Sequence, residues 1–149
     1  MRALLLSGLC GLAVLGAACG SATVTGPDMP YAAVTHACGA ADGPAAAIYL
    51  AHAPITSLEP SPPYVRIYID QPIDQLAGQS WTLGGAVDAA AWRTTAEGSV
   101  EAAQGGTVRV DAVRDSQDVE GFVDLTFPDG GRVQQAFRAS WLAAAILCG

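Results

Sequence analysis

The chain has 149 residues and is 51% hydrophobic, but 29 of its residues are alanine, so bulky side chains are scarcer than that percentage suggests. Its seven basic residues are all arginine and face 14 acidic residues, which gives a formal net charge of −7 at pH 7. This balance excludes nucleic-acid binding through a basic patch. The length allows one domain, with or without a signal and a tether, and excludes most large enzyme architectures.

The first 18 residues predict a secretory signal peptide. Arg2 supplies a positive charge, and residues 3–15 form an apolar run interrupted only by serine and glycine. The run is shorter than the roughly 20 apolar residues that a membrane-spanning helix needs. It also ends in small residues just before Cys19. We therefore expect cleavage rather than permanent insertion.

Residues 15–19, with the sequence LGAAC, resemble the lipobox of bacterial lipoproteins, in which small residues precede a cysteine. The resemblance implies cleavage before Cys19, diacylglycerol on its thiol, and a lipid anchor in the cell envelope. Gly20 follows in place of an aspartate, which in a Gram-negative lipoprotein implies transport to the outer membrane. The leucine lies four positions before the cysteine instead of the commoner three, so ordinary cleavage after Ala18 and soluble secretion is the alternative.

Cysteine parity agrees with lipidation. Removal of the signal takes Cys10 away and leaves three cysteines in an oxidising compartment, where an odd thiol invites intermolecular pairing. Modification of Cys19 would leave one pair, so we predict a disulfide between Cys38 and Cys148. The alternative is a pair of buried, reduced cysteines.

The segment 19–37 predicts a lipidated N-terminus followed by a flexible tether, because it contains serine, threonine, glycine and proline without a sustained hydrophobic period. The folded domain is then expected to span residues 38–149. In that part of the chain, short runs of alternating apolar and polar residues recur between turn residues. These runs predict strands at 45–52, 64–70, 80–83, 90–94, 99–102, 107–112, 119–127 and 133–141.

The predicted fold is all-β, an antiparallel β-sandwich or small β-barrel of about 7–9 short strands, closed by one disulfide. The sequence PDGG at 128–131 is a strong hairpin signal between the last two runs. We expect the last strand to continue beyond the alternating run at 133–141, to end at Cys148, and to pair with a strand that follows Cys38. A helix over 139–147 competes, since alanine favours it.

Alternation also assigns faces. Val65, Ile67 and Ile69 are expected in the core, and so are Val108, Val110 and Ala112 in the run at 107–112.

The opposite face of the run at 64–70 carries Tyr64, Arg66 and Tyr68. Tyrosine and arginine are favoured at binding hot spots, so these three form a candidate partner surface. The alternative is that these three residues are simply the solvent-facing side chains of a strand and bind no partner. Trp81, Trp92 and Trp141 could form a carbohydrate-stacking platform, but we expect at least two of them in the core.

The sequence contains no evident catalytic set. His36 lies in the predicted tether, His52 has no partner that the sequence reveals, and no GxSxG turn occurs. The segment Asp111 to Glu120 carries four acidic residues that could hold calcium, but a solvated hairpin turn is favoured. We predict no cofactor or metal.

These observations favour a non-enzymatic envelope module that meets the membrane through lipid on Cys19 and binds a protein or glycan or has a structural role. The alternatives are a hydrolase or metal-assisted enzyme that uses scattered carboxylates, or a carrier of a small apolar ligand inside a barrel. The sequence does not choose the ligand.

Overall fold

The computed structural model describes residues 28–40, 42–84, 88–115, 117–144 and 148. The predicted signal peptide, Cys19 and residues 20–27 lie outside the described residues. In the described part there are nine strands and one short 3₁₀ turn, Ile73–Gln75. The strands are β1 (Tyr31–Cys38), β2 (Pro44–Ala51), β3 (Tyr64–Ile69), β4 (Ser80–Leu83), β5 (Ala89–Thr94), β6 (Val100–Ala102), β7 (Gly105–Arg114), β8 (Asp118–Thr126) and β9 (Arg132–Trp141). No helix in this part is long and apolar enough to cross a membrane.

The nine strands form one curled sheet in the order β4-β7-β8-β9-β1-β2-β3-β5-β6, which has the shape of a half-barrel. Neighbouring strands are antiparallel except β9 and β1, which run parallel with Ala33 opposite Ser140 and Val34 opposite Trp141. The predicted all-β class, the strand number and the mainly antiparallel pairing are confirmed.

The core fills the inside of the curl. Alternation brings the apolar residues of each strand to this side, and Val65, Ile67 and Ile69 are fully buried there, as predicted. The most deeply buried large side chains are Phe127, Ile48, Leu50, Ile67, Ile69, Ile73, Leu76, Leu125, Val34, Val65, Val108 and Val110. The middle of the curl is therefore packed with the protein's own side chains.

The predicted tether is wrong over its last part, because residues 31–38 form β1 between β2 and β9. Met29 is also buried, and its main-chain N–H and C=O bond to the Gln135 side chain at 3.1 and 2.9 Å. The folded domain therefore begins at Met29 or earlier. A central strand covered on both faces lacks clear alternation, and alanines on both sides of β1 concealed it.

The predicted end of the last strand is also wrong. β9 ends at Trp141, and after it the Leu142 N–H donates to the Val34 carbonyl. Pairing with a strand after Cys38 is impossible, because both edges of β2 are already occupied, by β1 and β3. Cys38 and Cys148 are nevertheless joined, with their Cα atoms 5.4 Å apart, as predicted.

A bulge in β7 corrects one assignment of faces. The register of β7 on β8 shifts between Val110 and Ala112, so that Ala112 lies opposite Glu120. Val113, instead of Ala112, then packs against the core. A bulge inserts one unpaired residue and reverses the alternation beyond it, which a strict period of two does not foresee.

Candidate functional site

The outer side of β1, β2 and β3 carries a second apolar cluster, separate from the core. Alanines at 37, 45 and 47 and the ring of Tyr49 are buried there. Ile55, from the loop between β2 and β3, packs against this cluster together with Tyr64 and Tyr68. This loop and the strands beneath it create a concave outer surface.

Cross-strand register gathers aromatic and cationic side chains on this surface. Tyr49 on β2 lies opposite Arg66 on β3, and Arg66 lies opposite Trp92 on β5. Tyr64 stands two residues before Arg66 on the same face. Neighbouring strands are about 4.8 Å apart, so these side chains are adjacent. We refer to Tyr49, Tyr64, Arg66 and Trp92 as the aromatic face.

Within the aromatic face, the Tyr49 ring lies near both Arg66 and Tyr64. The Arg66 guanidinium carbon lies 5.9 Å from the centre of the Tyr49 ring. The Tyr49 and Tyr64 ring centres are 6.4 Å apart, with their planes tilted by 45°. Burial raises the pKa of Tyr49, and the nearby Arg66 charge partly offsets this rise. Tyr49 thus forms a buried floor, while Tyr64 and Trp92 are half-buried and Arg66 is exposed.

Two grooves meet at Tyr64 and Arg66. The first groove, of about 480 Å³, lies over Tyr49 and is bordered by Leu58 and Glu59 of the loop and by the end of β1. The second groove, of about 300 Å³, lies on the other side. Its lining residues are Tyr64, Arg66, Trp92, Thr94 and Val100. A ligand in either groove would touch Arg66.

Arg66 is the one arginine of the described part that forms no ion pair with a carboxylate. Five arginines there form ion pairs with carboxylates, namely Arg93, Arg109, Arg114, Arg132 and Arg138. All 14 acidic side chains lie within the described residues, yet none of them forms a salt bridge with Arg66. In a chain with a net charge of −7, Arg66 is therefore an exposed cation without an acidic partner in the described part.

Tyr68 lies on the same outer face but has a different environment. Its hydroxyl lies 3.2 Å from the Cys38 carbonyl oxygen and 3.1 Å from a carboxylate oxygen of Asp70, and donates to one of them at a time. Burial and the hydrogen bond with Asp70 raise the pKa of Tyr68. The structure therefore brings Tyr64 and Arg66 to the grooves, while Tyr68 ties β3 to the end of β1.

The three tryptophans have separate environments. Trp81 is in the core, and Trp141 packs against the core with its ring 4.9 Å from that of His36. Trp92 alone reaches the aromatic face, and it was missed as a partner of Arg66. Alternation within β5, where Ala89 and Ala91 face the core, could have placed Trp92 outside. Its neighbours depend on strand order, which no local pattern shows.

The acidic segment in residues 111–120 is a hairpin, as favoured, with Arg114 opposite Asp118. Three of its four carboxylates have partners: Asp111 pairs with Arg109, Glu120 with Arg114, and Asp118 accepts the Trp141 N–H at 3.0 Å. Among the residues with described positions, no group of three or more His, Cys, Asp or Glu side chains is arranged to hold a metal ion.

Comparison with known proteins finds no match to any family model, any curated protein or any solved structure. The lipid attachment predicted at Cys19 lies outside the described residues.

Proposed function

We propose that this protein is a non-enzymatic binding module, held at the cell envelope by lipid on Cys19, that recognises a partner protein through the aromatic face. The observation that carries the binding proposal is the exposed Arg66, which stands between Tyr49, Tyr64 and Trp92 without a carboxylate partner among the described residues. Tyrosine, tryptophan and arginine are the residues on which interface energy concentrates.

The packing of the core also bears on the alternatives. A carrier of apolar ligands needs an internal cavity, whereas here Ile48, Ile67 and Leu125 fill the space inside the curl without solvent exposure. A carboxylate hydrolase needs two acids that converge on a cleft. Asp124 and Glu120 are instead paired with arginines on the outer side of β8.

Site-specific photo-crosslinking in intact cells tests the binding proposal. A photoreactive residue at Val100, beside the second groove, should give a discrete crosslinked species. The same residue at Thr107, exposed on β7 away from the grooves, serves as the control and should not. The Arg66→Gln and Trp92→Ala substitutions should each weaken the Val100 crosslink. Equal crosslinking from both positions, or none from Val100, would contradict the proposal.

The anchor has a separate test. Intact-mass measurement of the mature protein should show acyl mass on Cys19, and Cys19→Ser should release the protein from membranes. A free thiol at Cys19 in the mature protein would refute the anchor and leave the binding proposal standing.

A further inference from the structure

The exposed apolar residues of the sheet are aligned across it. Tyr31 and Val100 are the exposed large hydrophobic residues of the described part. Both belong to one cross-strand row, in which Tyr31, Ala51, Tyr64, Thr94 and Val100 lie opposite one another in turn. The next row on the same face contains Tyr49, Arg66 and Trp92. A mainly apolar strip therefore lies beside Arg66, which has no acidic partner among the described residues.

Charge distinguishes the two grooves. The first groove is bordered by Glu59, whose carboxylate would repel an anion. The second groove has no acidic residue in its lining, and Arg66 is the charged group there. An anion that pairs with Arg66 is therefore favoured on the side of the second groove. A carboxylate matches the planar guanidinium, because two parallel N–H donors can meet its two oxygens.

The rest of the second groove is apolar or weakly polar. The Trp92 ring, the Val100 side chain and the Tyr64 ring form most of its wall. Val100 lies on β6, two strands across from Arg66 and two residues along the strand direction, which corresponds to a separation of about 12 Å. In an extended peptide, side chains two residues apart lie on one face about 7 Å apart. The lengths of the two peptide side chains span the rest of the distance between Arg66 and Val100.

From this arrangement we infer that the aromatic face takes an acidic peptide segment of its partner, with a carboxylate on Arg66 and an apolar side chain between Trp92 and Val100. This inference rests on the proposed function and deepens it. The single cation and the adjoining apolar wall complement such a segment in charge and in polarity.

The test titrates the full mature chain with two peptides, acetyl-Leu-Ala-Glu-Ala-amide and its Gln counterpart, and follows the indole N–H resonance of Trp92. The Glu peptide should shift this resonance, and the Gln peptide should bind about tenfold more weakly, as expected for loss of a charge-assisted hydrogen bond. Arg66→Gln should remove the difference between the two peptides. Arg138→Gln, an exposed arginine on β9, should leave it unchanged.

Several results would overturn the inference. Equal affinity for both peptides, no shift with either peptide, or a preference for Glu that survives Arg66→Gln would each do so. Binding of oligogalacturonate in place of both peptides would assign the site to an acidic glycan instead. If the Val100 crosslink persists but the Glu preference is absent, the proposed binding function stands and only the acidic peptide is wrong. If the crosslink is also absent, the binding function itself fails.

Discussion

Arg93 and Arg66 lie on neighbouring strands, yet their side chains have opposite surroundings. Arg93 lies over the Phe127 ring at 4.7 Å and pairs with Asp129 and Glu101, whereas Arg66 lies on the outer face without an acidic partner in the described part of the chain. Burial acts to lower the pKa of Arg93, but its hydrogen bonds with Asp129 and Glu101 raise it above the ordinary value. Arg93 therefore makes contacts within the domain, whereas the Arg66 guanidinium is exposed to solvent.

At Gly121, a missing side chain makes room for an aromatic ring. Gly121 on β8 lies opposite Phe137 on β9, and a Cβ atom at this position would collide with the Phe137 ring and with the Arg109 carbonyl oxygen. Glycine weakens a strand in general, so its place in the middle of β8 needs such a reason.

Substitution of Gly121 by alanine should therefore lower the free energy of unfolding by about 1–3 kcal/mol, because backbone and ring must both move. Urea denaturation measures this loss. Gly105→Ala on β7 is the matched control, since a Cβ there meets nothing within 4 Å, and it should be nearly neutral. Similar losses for the two variants would show that the Phe137 contact is unimportant.

At the scale of elements, Arg93 connects two hairpins that are distant in the sheet order. Its partner Glu101 is on β6 and its partner Asp129 is in the turn between β8 and β9. The chain passes between the same two regions, since the Ala103 N–H donates to Ala91 on β5 and the next N–H, of Gln104, donates to Thr126 on β8. The Arg93 side chain therefore stabilises the contact between the β5–β6 hairpin and the turn between β8 and β9.

Arg93→Ala should destabilise the domain by about 1–3 kcal/mol, because it removes hydrogen bonds to charged groups and uncovers Phe127. It should also speed amide hydrogen exchange in β6 more than in β2. Arg109→Ala removes an exposed pair within β7 and should destabilise the domain less than Arg93→Ala, because solvent screens exposed pairs. Equal effects on amide hydrogen exchange in β6 and β2 would show that Arg93 does not stabilise β6 in particular.

Most strands were predictable because one face of each strand is exposed to solvent, so that apolar and polar residues alternate along it. β3 and β4 have bulky apolar residues at every second position, and both were placed within one residue of their observed ends. β1 was not predicted, because alanines on both faces remove the alternation. For the site, Tyr64 and Arg66 were found from one strand alone. Tyr49 and Trp92 were missed as their neighbours, because strand order places them there.

For the whole molecule, the disulfide between Cys38 and Cys148 joins the end of β1 to the last part of the chain. The closed loop spans a sequence separation of 110 residues, for which the chain-entropy model expects about 4–5 kcal/mol. The double variant Cys38→Ser/Cys148→Ser should therefore unfold with about 2–5 kcal/mol less free energy, as measured by urea denaturation. Adding reductant should destabilise the original protein but not the variant. An unchanged midpoint in the variant would contradict this expectation.

Acid should weaken the ionic contacts of the outer face. Hydrogen bonds from Arg132 and Arg114 lower the pKa values of Asp124 and Glu120 below their ordinary values of 3.8 and 4.5. The unfolded chain therefore takes up protons first. The stability from these pairs is complete above about pH 5 and is lost as the pH falls through those ordinary values and then through the lower folded-state values.

Unfolding free energies at about pH 6 and about pH 3 should show this loss, and Arg132→Gln should reduce it. Arg66→Gln is the control, because Arg66 has no carboxylate partner in the described part of the chain. A pH dependence unaffected by Arg132→Gln would show that Asp124 contributes nothing to it.

The parallel pairing of β1 with β9 has a consequence for how the protein can be made. At the centre of the sheet β1 pairs with β9, with Val34 opposite Trp141. These two strands come from opposite ends of the described part of the chain. A nascent chain cannot form the β1–β9 pair until β9 has been synthesised, and such long-range pairing slows folding. Until then the unpaired edge of β1 is open to other chains, which makes the interval before β9 arrives the period of greatest risk of misassembly.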